Sequence, residues 1–548
     1  MFMRNKLLFL LVLNCNIFLS AQTFKIVFLA DSQYAHNPLW ITQIKKFGAT
    51  GINYRIYRNL LQDDNLHINQ NEWTKISNDL KIISDSSLEI YIRVNMFYTK
   101  STWGYSTDDF QQTINGVMYS PYYSANIPTL NLTSTRAFSD RINFLDSLVT
   151  RLAALPSNID GKIKLIVPTL SQDDETELMQ NTKYPPVGKG AWGWLSGYSN
   201  CEQIGFMQFL QNRYKNPGNL NAIWGASFSA INTDNIIIKN FDWENIKDNY
   251  EFYPAGRKDF IDFLTSQLKR FIDTCAYIVH NKSFKIGVQF GSIYDAGIEF
   301  KAFYDVTPLL EKVDMVFCDD VAEYSPNFNF AADYLRSVCN FWNQQRNRNE
   351  NKLGLLTFGT ETNWPGYDHL APDTLVKYWT MQLRSYYNGG ATTLSISHWG
   401  TIDMLVQWNT NPVINYKIGD LIINDQLTDS KKSFISNSAY NDWKTTLNNF
   451  KNKKIKVITT LPVESTIHLS PVKVLNSGKD LEGSFFHSHN IGITSGTIST
   501  FDGANYGRIN LIEFPLYKYI KSQILYSDDS DKNYRYNIVT DYMLEKSH

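Results

Sequence analysis

Ile163-Lys-Leu-Ile-Val-Pro-Thr-Leu170 runs straight into Ser171-Gln-Asp-Asp-Glu-Thr-Glu-Leu178. The first segment is mostly apolar and β-branched over the length of a strand, and such a run predicts a buried strand. The second carries Asp173, Asp174, Glu175 and Glu177. The same pattern returns at Leu353–Phe358 (LGLLTF), which runs into GTETNWPG (359–366), where Glu361 is the only acid. Working outward, similar runs lie at Phe24–Leu29, Gly51–Tyr57, Leu88–Met96, Lys285–Phe290, Val313–Cys318 and Thr392–Ser397. Between them, Phe138–Leu155, Arg257–His280, Ala331–Trp342 and Leu375–Tyr387 have apolar residues at helical period. Strands alternating with helices argue for a parallel sheet, and eight such strands are the count that closes a (β/α)8 TIM barrel, an α/β fold. An open doubly wound sheet is the alternative. No GxGxxG or GxxxxGK[ST] follows any of the strands, so nucleotide binding has no support.

The length of 548 residues suits a barrel, which takes about 250 residues alone and passes 400 with insertions. The expected division is a signal peptide at 1–21, a barrel at 22–430 and an accessory, β-rich region at 431–548. The signal peptide reads from Arg4 and Lys6, the apolar stretch Leu7–Leu19 and the small pair Ser20-Ala21. It implies a secreted or periplasmic protein. Cys15 is a weak lipoprotein signal, since Asn14 precedes it. No later run reaches the roughly 18 uninterrupted apolar residues of a membrane helix. With 52 basic and 53 acidic residues, there is no global field to draw nucleic acid or an anionic membrane, and a neutral substrate suits the balance. Cys201, Cys275, Cys318 and Cys339 form no CxxC pair, and buried free thiols are the expectation. Past Met404 the alternation fades: Asn437–Phe450 reads as a helix, Lys454–Thr459 as a strand, and the tail as short β-like runs around FDGANYGR.

Barrel enzymes build their sites beyond the carboxyl ends of the strands. Two long stretches fall there, Thr99–Thr135, which contains Trp103, and Asp173–Asn200, which contains YPPVGKGAWGW. Two strands end in residues suited to glycosidic cleavage. Cleaving a glycosidic bond needs two carboxyl groups facing each other across the sugar, one protonated to assist the leaving oxygen and one ionised. Glu361 after the seventh strand and an acid after the fourth meet that need. Against it stands the ordinary role of a strand-end carboxylate, capping a loop or helix.

Phe206–Asn235 (FMQFLQNRYKNPGNLNAIWGASFSAINTDN) resembles the passage after the catalytic acid in family 42 glycoside hydrolases, the clan A β-galactosidases. Phe206, Phe209, Leu210, Arg213, Tyr214, Leu220, Asn221, Trp224, Gly225, Phe228 and Ser229 match it. Glu361, Asn363-Trp364 and Pro365-Gly366 repeat the elements of the family's nucleophile region in another order. NGGATTLSISHWG (388–400) is similar to the family's eighth strand, with Trp399 in place of the Trp that floors the sugar site and Gly400 in place of a basic residue. The resemblance implies Glu361 as nucleophile, Glu175 as acid/base, and retention of configuration. Clan A enzymes usually have Asn before the acid; Asp174 stands here, which opens the choice between Glu175 and Glu177.

Around this pair, Arg55 and Arg93 near the ends of the second and third strands call for carboxylate partners such as Glu361. Tyr324 in FCDDVAEY is expected to hydrogen-bond the nucleophile or to sit in the core or rim. Asp319 and Asp320 beside it bind sugar hydroxyls or cap the next helix. Trp103, Trp192, Trp194 and Trp364 are sugar-platform candidates, and Asp174, Trp364 and Trp399 complete the substrate set. His487 and His489 read as surface residues. No metal and no cofactor are expected. The leading expectation is a retaining glycosidase acting on an oligosaccharide or polysaccharide, β-galactoside-like or otherwise neutral. The alternative is a barrel without catalysis that binds glycan. A metal-dependent barrel hydrolase would want His-x-His at the first strand, where Asp31-Ser32-Gln33 stands.

Overall fold

The computed structural model describes residues 23–112, 116, 118, 128–171, 174–176, 197–238, 254–290, 306–318, 339, 342–343, 346, 354–359, 380, 383–384, 386–387, 390–397, 437–451, 453–455, 507–511, 520–527 and 534–542. The expected runs are strands: β1 (Lys25–Ala30), β2 (Gly51–Tyr57), β3 (Glu89–Asn95), β4 (Ile163–Thr169), β5 (Gly287–Phe290), β6 (Met315–Cys318), β7 (Gly354–Gly359) and β8 (Thr393–Ser397). One parallel sheet has the order β4-β3-β2-β1-β8-β7, and β5 pairs with β6. Ile166 of β4 bridges in parallel to Ile286, just before β5, and β6 lies beside β7. The strands therefore follow one another round a ring in chain order, the arrangement of a (β/α)8 barrel.

The helices start where local chemistry places them. Asn37 caps α1 (Pro38–Lys46) by accepting from the Leu39 and Trp40 amides, with Pro38 at the first helical position. Asn69 caps α2 (Gln70–Asp85), and Ser134 caps α3 (Thr135–Ala153). α4 (Asn200–Tyr214) opens with a capping box of Ser199 and Glu202. Asn216 caps α5 (Pro217–Trp224), and α6 (Pro254–Asn281) precedes β5. Among the described residues, no helix is long and apolar enough to cross a membrane.

Strand parity divides the core in two. Ile26 and Phe28 of β1, Ile52 and Ile56 of β2, and Ile90, Ile92 and Val94 of β3 face outward, in one cluster with Trp40, Ile44, Leu80, Ile83, Phe144 and Leu148 of the helices. The alternate residues Val27, Tyr91, Leu165, Val167 and Phe317 fill the barrel interior. Two glycines make room for them. A Cβ at Gly51 would stand 2.8 Å from the Glu89 carbonyl oxygen and 3.1 Å from the Tyr91 ring, and one at Gly287 would stand 2.8 Å from Leu165 Cδ2. Below this apolar layer Lys25 pairs with Glu89 at 3.0 Å, and Tyr91 donates to the same carboxylate. Toward the carboxyl ends the interior turns charged, with buried Arg55, Arg93 and Asp174.

α7 (Asn437–Phe450) packs Trp443, Leu447 and Phe450 into the outer cluster beside Phe24 and Phe47. The chain after it adds an edge to β1: Phe24 N–H donates to the Lys453 carbonyl at 2.7 Å, and Thr23 bridges Lys454. Farther on, β9 (Gly507–Leu511), β10 (Ile520–Ser527) and β11 (Tyr534–Tyr542) form an antiparallel sheet in the order β11-β10-β9.

Candidate active site

Register places the charged residues of the barrel mouth. Arg55 of β2 lies directly opposite Arg93 of β3, and Tyr57 opposite Asn95. All four share the inner face by parity. Two neighbouring guanidiniums out of water repel each other and need anions. For Arg55 they come from the ends of two other strands. Nη1 lies 3.5 Å from Oδ1 of Asp31, the residue after β1, and Nη2 pairs with Oδ2 of Asp174, beyond β4. Asp31 stands at the N-cap position of the short helix Ser32–Ala35 yet makes no side-chain capping bond. Its carboxylate reaches toward Arg55. The Arg55 guanidinium also lies 5.1 Å from the centroid of the Tyr57 ring.

Beyond β4, backbone bonds tie Leu170 and Ser171 to Asp174 and Glu175. The Leu170 and Ser171 amides donate to the Glu175 carbonyl at 2.7 and 3.1 Å, and the Asp174 amide donates to Ser171 O. Glu175 N–H donates to Ser171 Oγ at 3.0 Å. Asp174 takes a left-handed conformation, φ 64°, which Asp tolerates better than most residues. Its other carboxylate oxygen accepts from Asn95 Nδ2 at 2.6 Å, and the same amide donates to Ser171 O. Thr176 then ties the turn to β5: its amide donates to the Gln289 carbonyl, and its hydroxyl accepts from Gln289 N–H at 3.0 Å. The backbone of Glu175 is thus held on both sides, and both acids are buried, Asp174 at 1% and Glu175 at 3% exposure.

The structure brings Arg55, Arg93, Asp174 and Glu175 to one mouth, and adds Asp31 and Asn95, which sequence reasoning missed. The missed signal was parity: Asn95 is two residues on from Arg93, and Asp31 follows β1 at an inward position. Arg55 was expected to find a partner such as Glu361; among the described residues its carboxylate partners are Asp31 and Asp174. Trp103, a platform candidate by sequence, is spent on packing. It is 3% exposed, its Nε1 donates to Asp63 O at 2.9 Å, and the Arg58 guanidinium covers its ring at 4.5 Å. Glu361, Tyr324, Trp364, Trp399, Glu177, Asp173, Asp319, Asp320, Trp192 and Trp194 lie outside the described residues. β7 ends at Gly359, two residues before Glu361, and β8 ends at Ser397, two before Trp399.

The loops around the mouth are built. Asp109 closes a capping box on the 3-10 turn Thr107–Asp109, and Phe110 bridges Leu130. Asn131 and Asp108 from this loop reach the start of α4: Asn131 Nδ2 donates to Ser199 Oγ, and the Cys201 amide donates to Asp108 Oδ1, both at 3.3 Å. Cys201 and Cys275 stand in no disulfide, and Cys201 Sγ donates to the Asp108 carbonyl at 3.2 Å. Burial pushes Cys201 up to about 11, so it is no nucleophile at neutral pH.

The segment that carries the resemblance is scaffold. Tyr214 donates to Asp259 Oδ2 at 2.6 Å, Trp224 Nε1 donates to the same oxygen at 2.8 Å, and Arg213 lies 3.0 Å from Oδ1. One buried carboxylate of α6 so clamps α4 and α5 to the barrel wall. Among the described residues, no group of three or more His, Cys, Asp and Glu is arranged to hold a metal ion.

No family model matches the chain, and no curated protein matches its sequence. Solved structures do match. A β-galactosidase from the Antarctic haloarchaeon Halorubrum lacusprofundi superposes with a TM-score of 0.55 at 10% identity, over 87% of this chain and 63% of its own. The catalytic domain of a β-amylase from Paenibacillus polymyxa gives 0.51 at 12% identity, over 79% of this chain and 100% of its own. A β-galactosidase from Marinomonas ef1 gives 0.50 at 11%, over 84% and 64%. The chain spans a little under two thirds of the length of these two β-galactosidases. At such identities the likeness is one of fold: the chain has the (β/α)8 barrel of these glycoside hydrolases.

Proposed function

We propose that the chain is a secreted glycoside hydrolase that cleaves O-glycosidic bonds of a neutral, β-galactoside-like glycan with retention of configuration. Glu175 protonates the leaving oxygen, and Glu361 attacks the anomeric carbon. Water then releases the glycosyl-enzyme intermediate, with Glu175 as base. The observation that carries this reading is the Glu175 turn: a buried glutamate whose backbone is bonded on both sides, beyond β4 of a barrel, beside the Arg55–Asp174 pair. General acid catalysis needs that kind of fixed placement, since a misplaced group loses most of its effect. The fold shared with β-galactosidases supports the class, and the residues at 1–21 support export.

The test is turnover of aryl glycosides and of plant and marine oligosaccharides by the mature chain, with Glu175→Gln and Glu361→Gln beside it. The reading expects turnover that both substitutions cut by orders of magnitude. Binding without turnover, undiminished in both variants, would establish a glycan-binding barrel instead. Chelator-sensitive turnover would point to metal chemistry. Full activity in both variants would refute the residue assignment.

A further inference from the structure

Directly behind the mouth, a polar cluster interrupts the apolar layer between sheet and helices. Asp79 of α2 is 4% exposed, and its Oδ2 accepts from Ser32 Oγ at 2.5 Å and from Tyr54 OH at 2.7 Å. Both donors are next in sequence to a residue of the mouth. Ser32 follows Asp31, and Tyr54 precedes Arg55. Side chains alternate along a strand, so Tyr54 faces the helices while Arg55 faces the interior. One carboxylate on the outer helix therefore holds the backbone at both ends of the Asp31–Arg55 contact.

Burying a carboxylate among apolar side chains is costly, and burial pushes Asp79 above its ordinary value against the pull of its two hydroxyl donors. Tyr54 is held well above 10 by burial and by Asp79, and so remains a donor. Packing alone would be served at less cost by apolar residues at these positions. What the cluster adds is position: β1 and β2 are paired in register through Ala30 and Tyr54, and Asp79 extends that registration past the strand ends.

We propose that Asp79 is a positioning residue for the mouth, tethering Ser32 and Tyr54 so that Asp31 meets Arg55, and through Arg55 fixing Asp174 beside Glu175. Its effect on turnover rests on the glycosidase reading; its effect on the Asp31–Arg55 geometry does not.

Crystal structures and steady-state kinetics of two variants test it. Asp79→Asn keeps an oxygen that can accept both hydroxyls, so the Asp31–Arg55 contact stays in place and kcat stays within about twofold of the parent. Asp79→Leu keeps the branching at Cγ and loses the acceptors. The Arg55–Asp31 separation then opens from 3.5 Å to beyond the ~4 Å of an ion pair. With it kcat falls roughly tenfold to a hundredfold at little changed KM. Tyr54→Phe removes one tether while keeping the ring, and supplies the same readouts if Asp79→Leu does not fold. An Asp79→Leu or Tyr54→Phe structure with the contact intact overturns the proposal whatever the activity. A parent chain that turns over no glycoside overturns the glycosidase reading, and the crystal readout still decides the positioning role.

Discussion

Glu202 sits at the third position of α4 and closes the cap on which two mouth loops converge. Ser199 donates to its Oε2 from both amide and hydroxyl, at 3.2 and 2.7 Å. Burial, the largest influence, pushes its carboxyl up from 4.5 to about 7; the Ser199 bonds pull the other way, and Asp108 nearby adds to the rise. A raised carboxyl means that the folded chain holds a proton which the unfolded chain has lost. The associated stability is present in full below pH 4.5 and is lost as pH rises toward 7. At about 1.4 kcal/mol per pH unit over that interval, the loss amounts to about 3 kcal/mol. Glu202→Gln keeps an acceptor for the cap and removes the ionisation. The variant should match the parent near pH 4.5 and exceed it above pH 7, by roughly 3–6 °C in melting temperature for a barrel of this size. Thermal unfolding by circular dichroism at half-unit steps from pH 4.5 to 8.5 gives the comparison. Melting temperatures that run parallel across the range would refute the reasoning, because the buried carboxyl would then not be the source of the pH dependence.

Asp259→Ala removes the clamp on Arg213, Tyr214 and Trp224 and should cost about 2–4 kcal/mol by denaturant unfolding, with unchanged specific activity at low temperature. Gly287→Ala forces a methyl against Leu165 inside the barrel and should cost about 1–3 kcal/mol; an unchanged midpoint would contradict the interior packing. Trp103→Phe should leave KM unchanged, since the indole is buried, while losing about 1–2 kcal/mol from its bond to Asp63 O and its stacking with Arg58. A rise in KM without loss of stability would return Trp103 to the sugar site.

The barrel was legible because its strands are runs of β-branched and aromatic residues, with no competing helical period. Gly51–Tyr57 was read from sequence with the bounds it has in the structure. Asn437–Phe450 was likewise legible as a helix. Its place against Phe24 was not, because that contact joins residues about four hundred positions apart and leaves no local trace. The mouth was legible in half. Arg55, Arg93, Asp174 and Glu175 stand out as charges in apolar surroundings. Asp31 hid behind the ordinary look of an Asp-Ser helix start, and Asn95 behind its neutrality. For Trp103, residue type does not separate an indole that stacks on sugar from one covered by Arg58, as this one is. Arg213, Tyr214 and Trp224 were read with the catalytic neighbourhood, yet they converge on Asp259, which nothing in the local sequence singles out.

The most direct test of the central claim is the leaving-group dependence of kcat/KM in Glu175→Gln. If Glu175 is the general acid, an activated dinitrophenyl glycoside needs no protonation and its kcat/KM should stay within about tenfold of the parent. A poor leaving group such as an alkyl glycoside should lose about 10²–10⁴. Equal losses on both substrates, or none on either, would contradict the assignment of Glu175 as the acid of this barrel.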